Sequence, residues 1–244
     1  MLNSQSAVAV ALVASCALVA SSTVWMSMAE ARPLDSGGVI QVSQSLPRPA
    51  APVSRTAPNA KPGPLSAQQR EMVEKINGYL TGVHMLIGDF VQVGADGRRT
   101  EGKFYLQKPG RMRFEYNDPS PLELVSDGRS VAIRDRRLAT QDLLLLSQTP
   151  LRFLLADRID LLKEGNIVNV YKDDVFVTVV LDEKQAIGGT HRLMLMFSTK
   201  DAQLRQWTVT DPQGTDTTVA LYNLDASSKP DPSLFRINYE VFRN

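Results

Sequence analysis

Cysteine and histidine are nearly absent from this 244-residue chain, which has one cysteine, Cys16, and two histidines, His84 and His191. Because Cys16 lies in an apolar N-terminal run, the rest of the chain has no disulfide, no cysteine metal site and no cysteine nucleophile. The histidines form no HxH, HxxxH or HExxH motif, which argues against a histidine metal site. Each is interpreted as a surface histidine or a satisfied structural one, and we expect no metal and no cofactor.

The chain also lacks an excess of charge of one sign, with 27 basic and 26 acidic residues and a formal net charge of +1. Nucleic-acid-binding domains normally carry a concentrated basic surface, so we expect no nucleic-acid partner. Catalytic signatures are missing as well, since Ser126 has no G-x-S-x-G context and Gly188-Gly189 is not followed by the Lys-Ser/Thr of a phosphate loop. The pairs Asp173-Asp174 and Asp182-Glu183 are interpreted as solvated charges beside turns. We therefore expect a protein that is not an enzyme.

The N-terminal run, residues 7–29, is uncharged and rich in Ala, Val and Ser. It ends in Ala29-Glu30-Ala31, an A-x-A pattern typical of signal-peptide cleavage, and we assign residues 1–31 to a signal peptide. Two alternatives stay open, because the run is about long enough to remain as a membrane anchor and Val13-Ala14-Ser15-Cys16 resembles a lipobox. All three place the body outside the cytoplasm, and we expect the periplasm.

Proline is concentrated in residues 32–65, which contain seven of the chain's 14 prolines and have no apolar periodicity. Such a segment cannot bury enough apolar surface to offset the entropy of ordering, so we expect a disordered linker. One domain should follow over residues 66–244. It should begin with an amphipathic helix over residues 66–80, because Ser66 and Gln69 fit a capping box before helically spaced apolar residues.

The next stretch predicts an antiparallel meander. Residues 83–93 alternate partially through Met85, Ile87 and Val91, and a hairpin turn follows at residues 94–97. Residues 102–131 then alternate polar and apolar residues over three short strands, with turns at Pro109-Gly110, at residues 117–121 and at Asp127-Gly128. Within them, Met112, Phe114 and Tyr116 should share one face.

The most apolar piece of the body lies in residues 142–157. Thr149 as a cap and Pro150 at the first helical position predict a short helix over residues 150–156, with Phe153 to the side of its apolar face. For residues 143–146, periodicity does not distinguish a strand, a helical turn or irregular structure.

Strands return in the last third of the chain, and Phe235-Arg236-Ile237 is a candidate for a last short pairing. The strand-like segments are residues 166–171, 175–181, 191–197, 203–209 and 217–224. The class is therefore α+β, with about ten antiparallel strands and helices on one side.

Four segments resemble the periplasmic outer-membrane lipoprotein carrier family, the LolA family. They are KPGRMRFEYNDPSPLELVSDGRSV, the TPLRFLL helix, and the closing pair TTVALYNL and FRI. The resemblance covers nearly all of residues 66–237. It implies an unclosed antiparallel β half-barrel of ten to eleven strands, with helices forming a lid over the concave apolar face.

The resemblance also implies a function and its partners. Such a carrier binds the acyl chains of lipoproteins released by an inner-membrane ABC-transporter complex and passes them to an outer-membrane receptor. We expect this protein to be a monomer. Two other functions stay open: an outer-membrane lipoprotein receptor or envelope-stress sensor of the same half-barrel fold, and a non-carrier scaffolding protein of the envelope.

The alternation and the resemblance together predict the residues that bind cargo. On the strands these are Phe104, Leu106, Met112, Phe114, Leu122 and Leu124, and on the lid Leu144, Leu151, Leu154 and Leu155. Taken singly, each of them is better explained as plain core than as a cargo contact, because a one-sided sheet must bury its apolar face. In the family an arginine before the proline helps to govern lid opening. Lys108 stands at that position, and a lysine cannot make an arginine's bidentate contacts.

Overall fold

The computed structural model describes residues 63–185 and 189–239. The predicted signal peptide, and the predicted linker up to residue 62, lie outside these ranges. Within them, no helix combines the length and the apolar character needed to cross a membrane.

The first helix, α1, spans Ala67–Gly82 and begins as the sequence predicts. Ser66 Oγ accepts a hydrogen bond from the Gln69 amide at 3.2 Å, and Gln69 Oε1 accepts one from the Ser66 amide at 2.9 Å. This capping box satisfies amides that have no partner within the helix. The buried residues Val73, Ile76 and Leu80 lie on one face, which joins the core of the sheet.

Eleven antiparallel strands form one sheet, in the order β6-β5-β4-β3-β2-β1-β11-β10-β9-β8-β7. The first six are β1 (Met85–Val93), β2 (Arg99–Gln107), β3 (Arg111–Tyr116), β4 (Leu122–Asp127), β5 (Ser130–Asp135) and β6 (Thr140–Leu145). The others are β7 (Ile167–Lys172), β8 (Phe176–Gln185), β9 (Gly189–Ser198), β10 (Leu204–Thr210) and β11 (Asp216–Asp225). Because β6 and β7 remain as edges, the sheet is an unclosed half-barrel, and the predicted α+β class is confirmed.

The predicted turns connect these strands, and two of them touch each other. Gly110 in the β2–β3 turn has φ of 75°, and Gly128 in the β4–β5 turn has φ of 106°. A Cβ at Gly110 would lie 2.6 Å from the Gly128 Cα. Glycine is therefore needed at position 110 both for its backbone conformation and for this close approach.

The faces of β3 follow the prediction, whereas those of β1 do not. Met112, Phe114 and Tyr116 are all buried. On β1, however, the core-facing series runs through Leu86, Gly88, Phe90 and Gln92. Of the three residues predicted to alternate, Val91 is buried, whereas Met85 and Ile87 are only partly buried. The apolar period of this strand is hidden because a glycine and a glutamine occupy alternate core positions.

The Leu-rich segment contains less helix than predicted. Its first part is the edge strand β6, followed by a 3₁₀ helix (Leu146–Gln148) and the four-residue helix α2 (Arg152–Leu155). Thr149 does not cap α2, because its hydroxyl donates to the Leu146 carbonyl at 2.9 Å. Phe153 is buried rather than lying to the side, since α2 has protein on most of its surface. A further short helix, α3 (Leu161–Glu164), was not predicted.

The C-terminal segment forms a second 3₁₀ helix (Pro232–Phe235) against β3 and β4. The predicted pairing of Phe235-Arg236-Ile237 is wrong, since residues 236–239 contain no strand. Asp231 accepts a hydrogen bond from the Ser233 amide at 2.8 Å. This side-chain bond and the prolines at positions 230 and 232, which lack amide donors, favour a turn over a strand.

Candidate functional site

A cavity of about 30 Å³ lies between the concave face of the sheet, α1 and α2. Its lining is apolar except for the polar atoms of three side chains, those of Tyr79, Lys108 and Trp207. The lining residues are Tyr79, Leu80, Val83, Leu86, Phe104, Leu106, Lys108, Met112, Leu154, Leu204, Trp207 and Leu221. A cavity of this size has room for about two water molecules, so it is closed to a long hydrocarbon chain.

The floor is a cluster of aromatic rings from both halves of the sheet, in which Phe104 and Trp207 line the cavity and Phe114 is buried behind them. Phe104 and Phe114 lie opposite each other on β2 and β3, with ring centroids 5.0 Å apart. Trp207 on β10 approaches Phe114 edge-on with a centroid distance of 6.1 Å. Such contacts between rings make the floor a packed and well-defined surface.

The structure places all ten predicted cargo residues in or against one hydrophobic core. Those that line the cavity are Phe104, Leu106, Met112 and Leu154. The other buried ones are Phe114, Leu124, Leu151 and Leu155, while Leu122 and Leu144 are partly buried. Leu144 belongs to the edge strand β6 and not to the lid, which corrects its predicted position. Their contact with cargo stays a prediction.

Lys108 is buried at the end of β2 and contacts α1. Its ammonium group donates to the Leu80 carbonyl, and its amide donates to the His84 carbonyl at 2.8 Å. The last carbonyls of a helix lack internal partners, and a cation stabilises that end of the helix dipole. Burial lowers the pKa of Lys108 to about 8, and the nearby charge of Asp157 opposes this shift. The contact therefore holds α1, and a role of Lys108 in lid opening remains a prediction.

Two contacts hold α2 across the opening of the half-barrel. At one end the Gly110 amide, in the β2–β3 turn, donates to the Leu155 carbonyl at 2.8 Å. At the other, Arg152 Nε lies 2.9 Å from Glu183 Oε1 on β8, and the guanidinium stacks 3.9 Å above the Phe153 ring. Because β3 and β8 lie in opposite halves of the sheet, α2 bridges them.

Glu183 is buried and is not the solvated charge beside a turn that the sequence predicts. Only 9% of its surface is exposed, and it pairs across strands with the buried His191. Burial lowers the pKa of His191, while the charges of Glu183 and Asp211 oppose that shift. Among the described residues, His191 Nδ1 has no hydrogen-bond partner, so this histidine is not a satisfied one. The signal for Glu183 was its place in the alternating series Val177, Val179, Leu181.

Several cavity residues were not predicted, because apolar residues on α1, β1, β10 and β11 give no local sign that they face a cavity rather than ordinary core. They include Tyr79, Leu86, Leu204, Trp207 and Leu221. Their approach to Phe104 and Met112 depends on sheet order, which places β11 beside β1. Over residues 63–185 and 189–239, no group of three or more His, Cys, Asp or Glu residues is arranged to hold a metal ion.

Comparisons with known proteins cover the same region of the chain. Residues 81–238 match the family described as outer membrane lipoprotein carrier protein LolA. An outer-membrane lipoprotein carrier protein from Methylococcus capsulatus is 27% identical over 173 residues, which is 67% of this chain and 82% of that protein. An uncharacterized protein from Rickettsia prowazekii is 26% identical over 107 residues, 40% of this chain. The match spans half of the length of that relative.

Solved structures with a similar fold are more distant in sequence. MucB is 16% identical with a TM-score of 0.42, over 73% of this chain and 66% of the MucB chain. A LolA superfamily protein from Nitrosomonas europaea is 11% identical with a TM-score of 0.39, over 72% of this chain and 99% of that chain.

Proposed function

The chain belongs to the LolA family of outer membrane lipoprotein carrier proteins, and we propose that it carries lipoproteins through the periplasm with their acyl chains shielded under α2. It receives lipoproteins released by an inner-membrane ABC-transporter complex and delivers them to an outer-membrane receptor. The observation that carries this proposal is the apolar cavity between the sheet, α1 and α2. Predicted cargo residues from β2, β3 and α2 line it.

The lining supports a binding role and not a catalytic one. Among the described residues that face the cavity there is no Asp, Glu, His, Ser or Cys, and the one amine, that of Lys108, donates to the Leu80 carbonyl. Acyl transfer or hydrolysis requires a nucleophile with a base beside it. An apolar lining instead suits a hydrocarbon chain, because moving such a chain from water into apolar surroundings is favourable by about 0.8 kcal/mol per methylene.

Cargo can enter only if a part of the lid moves, because the cavity is too small for an acyl chain. The part that moves is α2. A four-residue helix has no stability of its own and depends on the contacts that hold it. Displacing Leu154 opens the cavity above Phe104 and Met112 while α1 keeps its place on the sheet.

Loading needs an external source of energy. A membrane retains three acyl chains of about fifteen methylenes each with a free energy on the order of 36 kcal/mol, at about 0.8 kcal/mol per methylene. Non-covalent affinities saturate near about 20 kcal/mol, so no protein cavity extracts such a cargo alone. An ABC transporter supplies that energy, whereas unloading requires only an acceptor with higher affinity.

A matched pair of variants tests the proposal. The wild-type chain is incubated with a periplasmic extract, recovered and analysed for bound lipoproteins and acyl chains. Leu154→Glu places a carboxylate in the cavity lining, and we expect it to abolish capture. Leu143→Glu makes the same change at an exposed leucine on β6, and we expect it to capture cargo like the wild type. If the wild type captures no acylated protein and its depletion leaves outer-membrane lipoproteins correctly sorted, the carrier proposal is wrong.

The N-terminus distinguishes a soluble carrier from a receptor. In our proposal residues 1–31 are a cleaved signal peptide and residues 32–65 a linker before the half-barrel domain of residues 66–244. Mass spectrometry of the mature protein should then find a free Arg32. An acylated Cys16 would instead favour an outer-membrane receptor.

A further inference from the structure

Trp207 lines the apolar cavity, and its side chain carries a hydrogen-bond donor that is unused. Its side chain lines the cavity and is 1% exposed. The indole Nε1–H has no acceptor among residues 63–185 and 189–239. A buried donor without a partner destabilises the folded protein by the full free energy of its desolvation, and such groups are rare in proteins.

The other polar groups of the lining have partners. The Lys108 ammonium donates to the Leu80 carbonyl, and the Tyr79 hydroxyl is hydrogen-bonded to the backbone of Leu204. A phenylalanine at position 207 would supply a similar apolar surface without an unpaired donor. Packing alone therefore does not explain a tryptophan at this position, and its N–H group needs a separate explanation.

The position of Trp207 keeps this donor in place when the lid moves. It lies on β10, opposite Leu195 on β9 and Val219 on β11, both fully buried. Its ring also contacts Phe114 on the floor. The contacts that hold α2 end on Gly110 and Glu183, so displacing α2 leaves the surroundings of Trp207 on the sheet intact.

We propose that Trp207 Nε1–H donates a hydrogen bond to a carbonyl oxygen of a bound acyl ester or amide, which makes the cavity selective for acyl chains over plain alkyl chains. This inference rests on the proposed binding of acyl cargo. A ligand for this site needs a long apolar body and an acceptor that lacks charge, and an ester or amide of a fatty acid has both. A single water is a poorer partner, because a buried water needs two to four polar contacts.

The test compares two probes that differ in the carbonyl groups alone. One is a cysteinyl peptide with a dipalmitoyl glyceryl group, and the other is its dihexadecyl ether analogue. Binding of each to the full chain is measured by displacement of a fluorescent fatty-acyl probe. We expect the wild type to prefer the ester by about 3- to 10-fold, the range that one neutral hydrogen bond provides.

The preference should disappear when the indole N–H is removed. Trp207→Phe does this, and replacement of Trp207 by benzothienylalanine does so with almost no change of shape, which covers the case in which Trp207→Phe folds poorly. In both, the ratio of the ester affinity to the ether affinity should fall to about one, because only the ester loses a hydrogen bond. A wild type without ester preference, or a benzothienyl variant that retains it, overturns the role of Trp207 while leaving the carrier proposal intact. Failure of the wild type to bind either probe overturns the carrier proposal and this inference with it.

Discussion

The two helices that cover the cavity, α1 and α2, are stabilised in different ways. α1 has 16 residues, a complete capping box and a buried face of Val73, Ile76 and Leu80. α2 has four residues and no side-chain cap, and three of its four residues are buried. The first therefore combines a cap with a long buried face, whereas the second depends on its neighbours alone.

Their attachments differ as well. Gln69 of α1 donates to the Val170 carbonyl on β7 at 2.8 Å, and Asn77 accepts from the Leu161 amide of α3 at 3.0 Å. α2 is attached through the carbonyl of Leu155 and through the ion pair of Arg152 with Glu183. In our proposal, α1 is therefore the fixed wall of the lid and α2 is the part that opens.

Truncating one buried residue in each helix should give the largest difference in the loss of unfolding free energy. Ile76→Ala should lower the free energy of unfolding by about 2–5 kcal/mol, because α1 unfolds only with the whole domain. Leu154→Ala should lower it by less, since local opening of α2 precedes global unfolding. Urea denaturation measures both, and amide hydrogen exchange at Leu155 and Ala156 should accelerate in Leu154→Ala alone. Equal losses in the two variants would contradict the contrast.

The hold of Lys108 on α1 should depend on pH. The pKa of this lysine is about 8 in the folded protein, against an ordinary value of 10.5. Between these two pH values the unfolded chain binds more protons than the folded protein does. The contribution of Lys108 to stability therefore rises with pH from about 8 to 10.5 and is constant below pH 8. Lys108→Arg stays charged throughout and should lack this rise. Urea denaturation from pH 7 to 10.5 measures the difference, and parallel curves would contradict the assignment.

The ion pair that attaches α2 should show coupling. Arg152→Ala leaves the buried Glu183 carboxylate without its partner and should destabilise more than Glu183→Gln does. In a double-mutant cycle of the two changes, we expect a coupling free energy of about 1 kcal/mol, together with faster exchange of a bound acyl probe in each variant. Arg192→Ala breaks the neighbouring but more exposed pair with Asp182 and serves as control. An equal effect of the control on probe exchange would show that α2 is not involved.

The cap of α1 gives the smallest expected effect. Ser66→Ala removes the acceptor for the Gln69 amide and should cost about 1 kcal/mol of unfolding free energy. Ser66→Asp keeps an acceptor there and should be close to neutral. Thermal unfolding measures both, and acyl-probe exchange should be unchanged in each. A faster exchange in Ser66→Ala would mean that α1 moves with α2.

Local signals in the sequence predicted α1, the hairpins and the inward face of β3. Each depends on residues that are near one another in the chain, such as Ser66 with Gln69 or Met112 with Phe114. The length of α2 and the inward face of β1 could not be predicted in this way. In both, contacts with distant residues outweigh the local pattern.

The sequence by itself determined the class of the fold and most of its strands, because alternation, turn residues and a capping box are properties of neighbouring residues. The family came from the resemblance of whole segments of the sequence. Only the tertiary structure decided which apolar residues line a cavity and which are plain core. It brought Trp207 to Phe114, Lys108 to the end of α1, and Arg152 to Glu183. These partners are far apart in the chain, and the order of strands in the sheet, together with the packing of α1 and α2 on it, sets the distances between them.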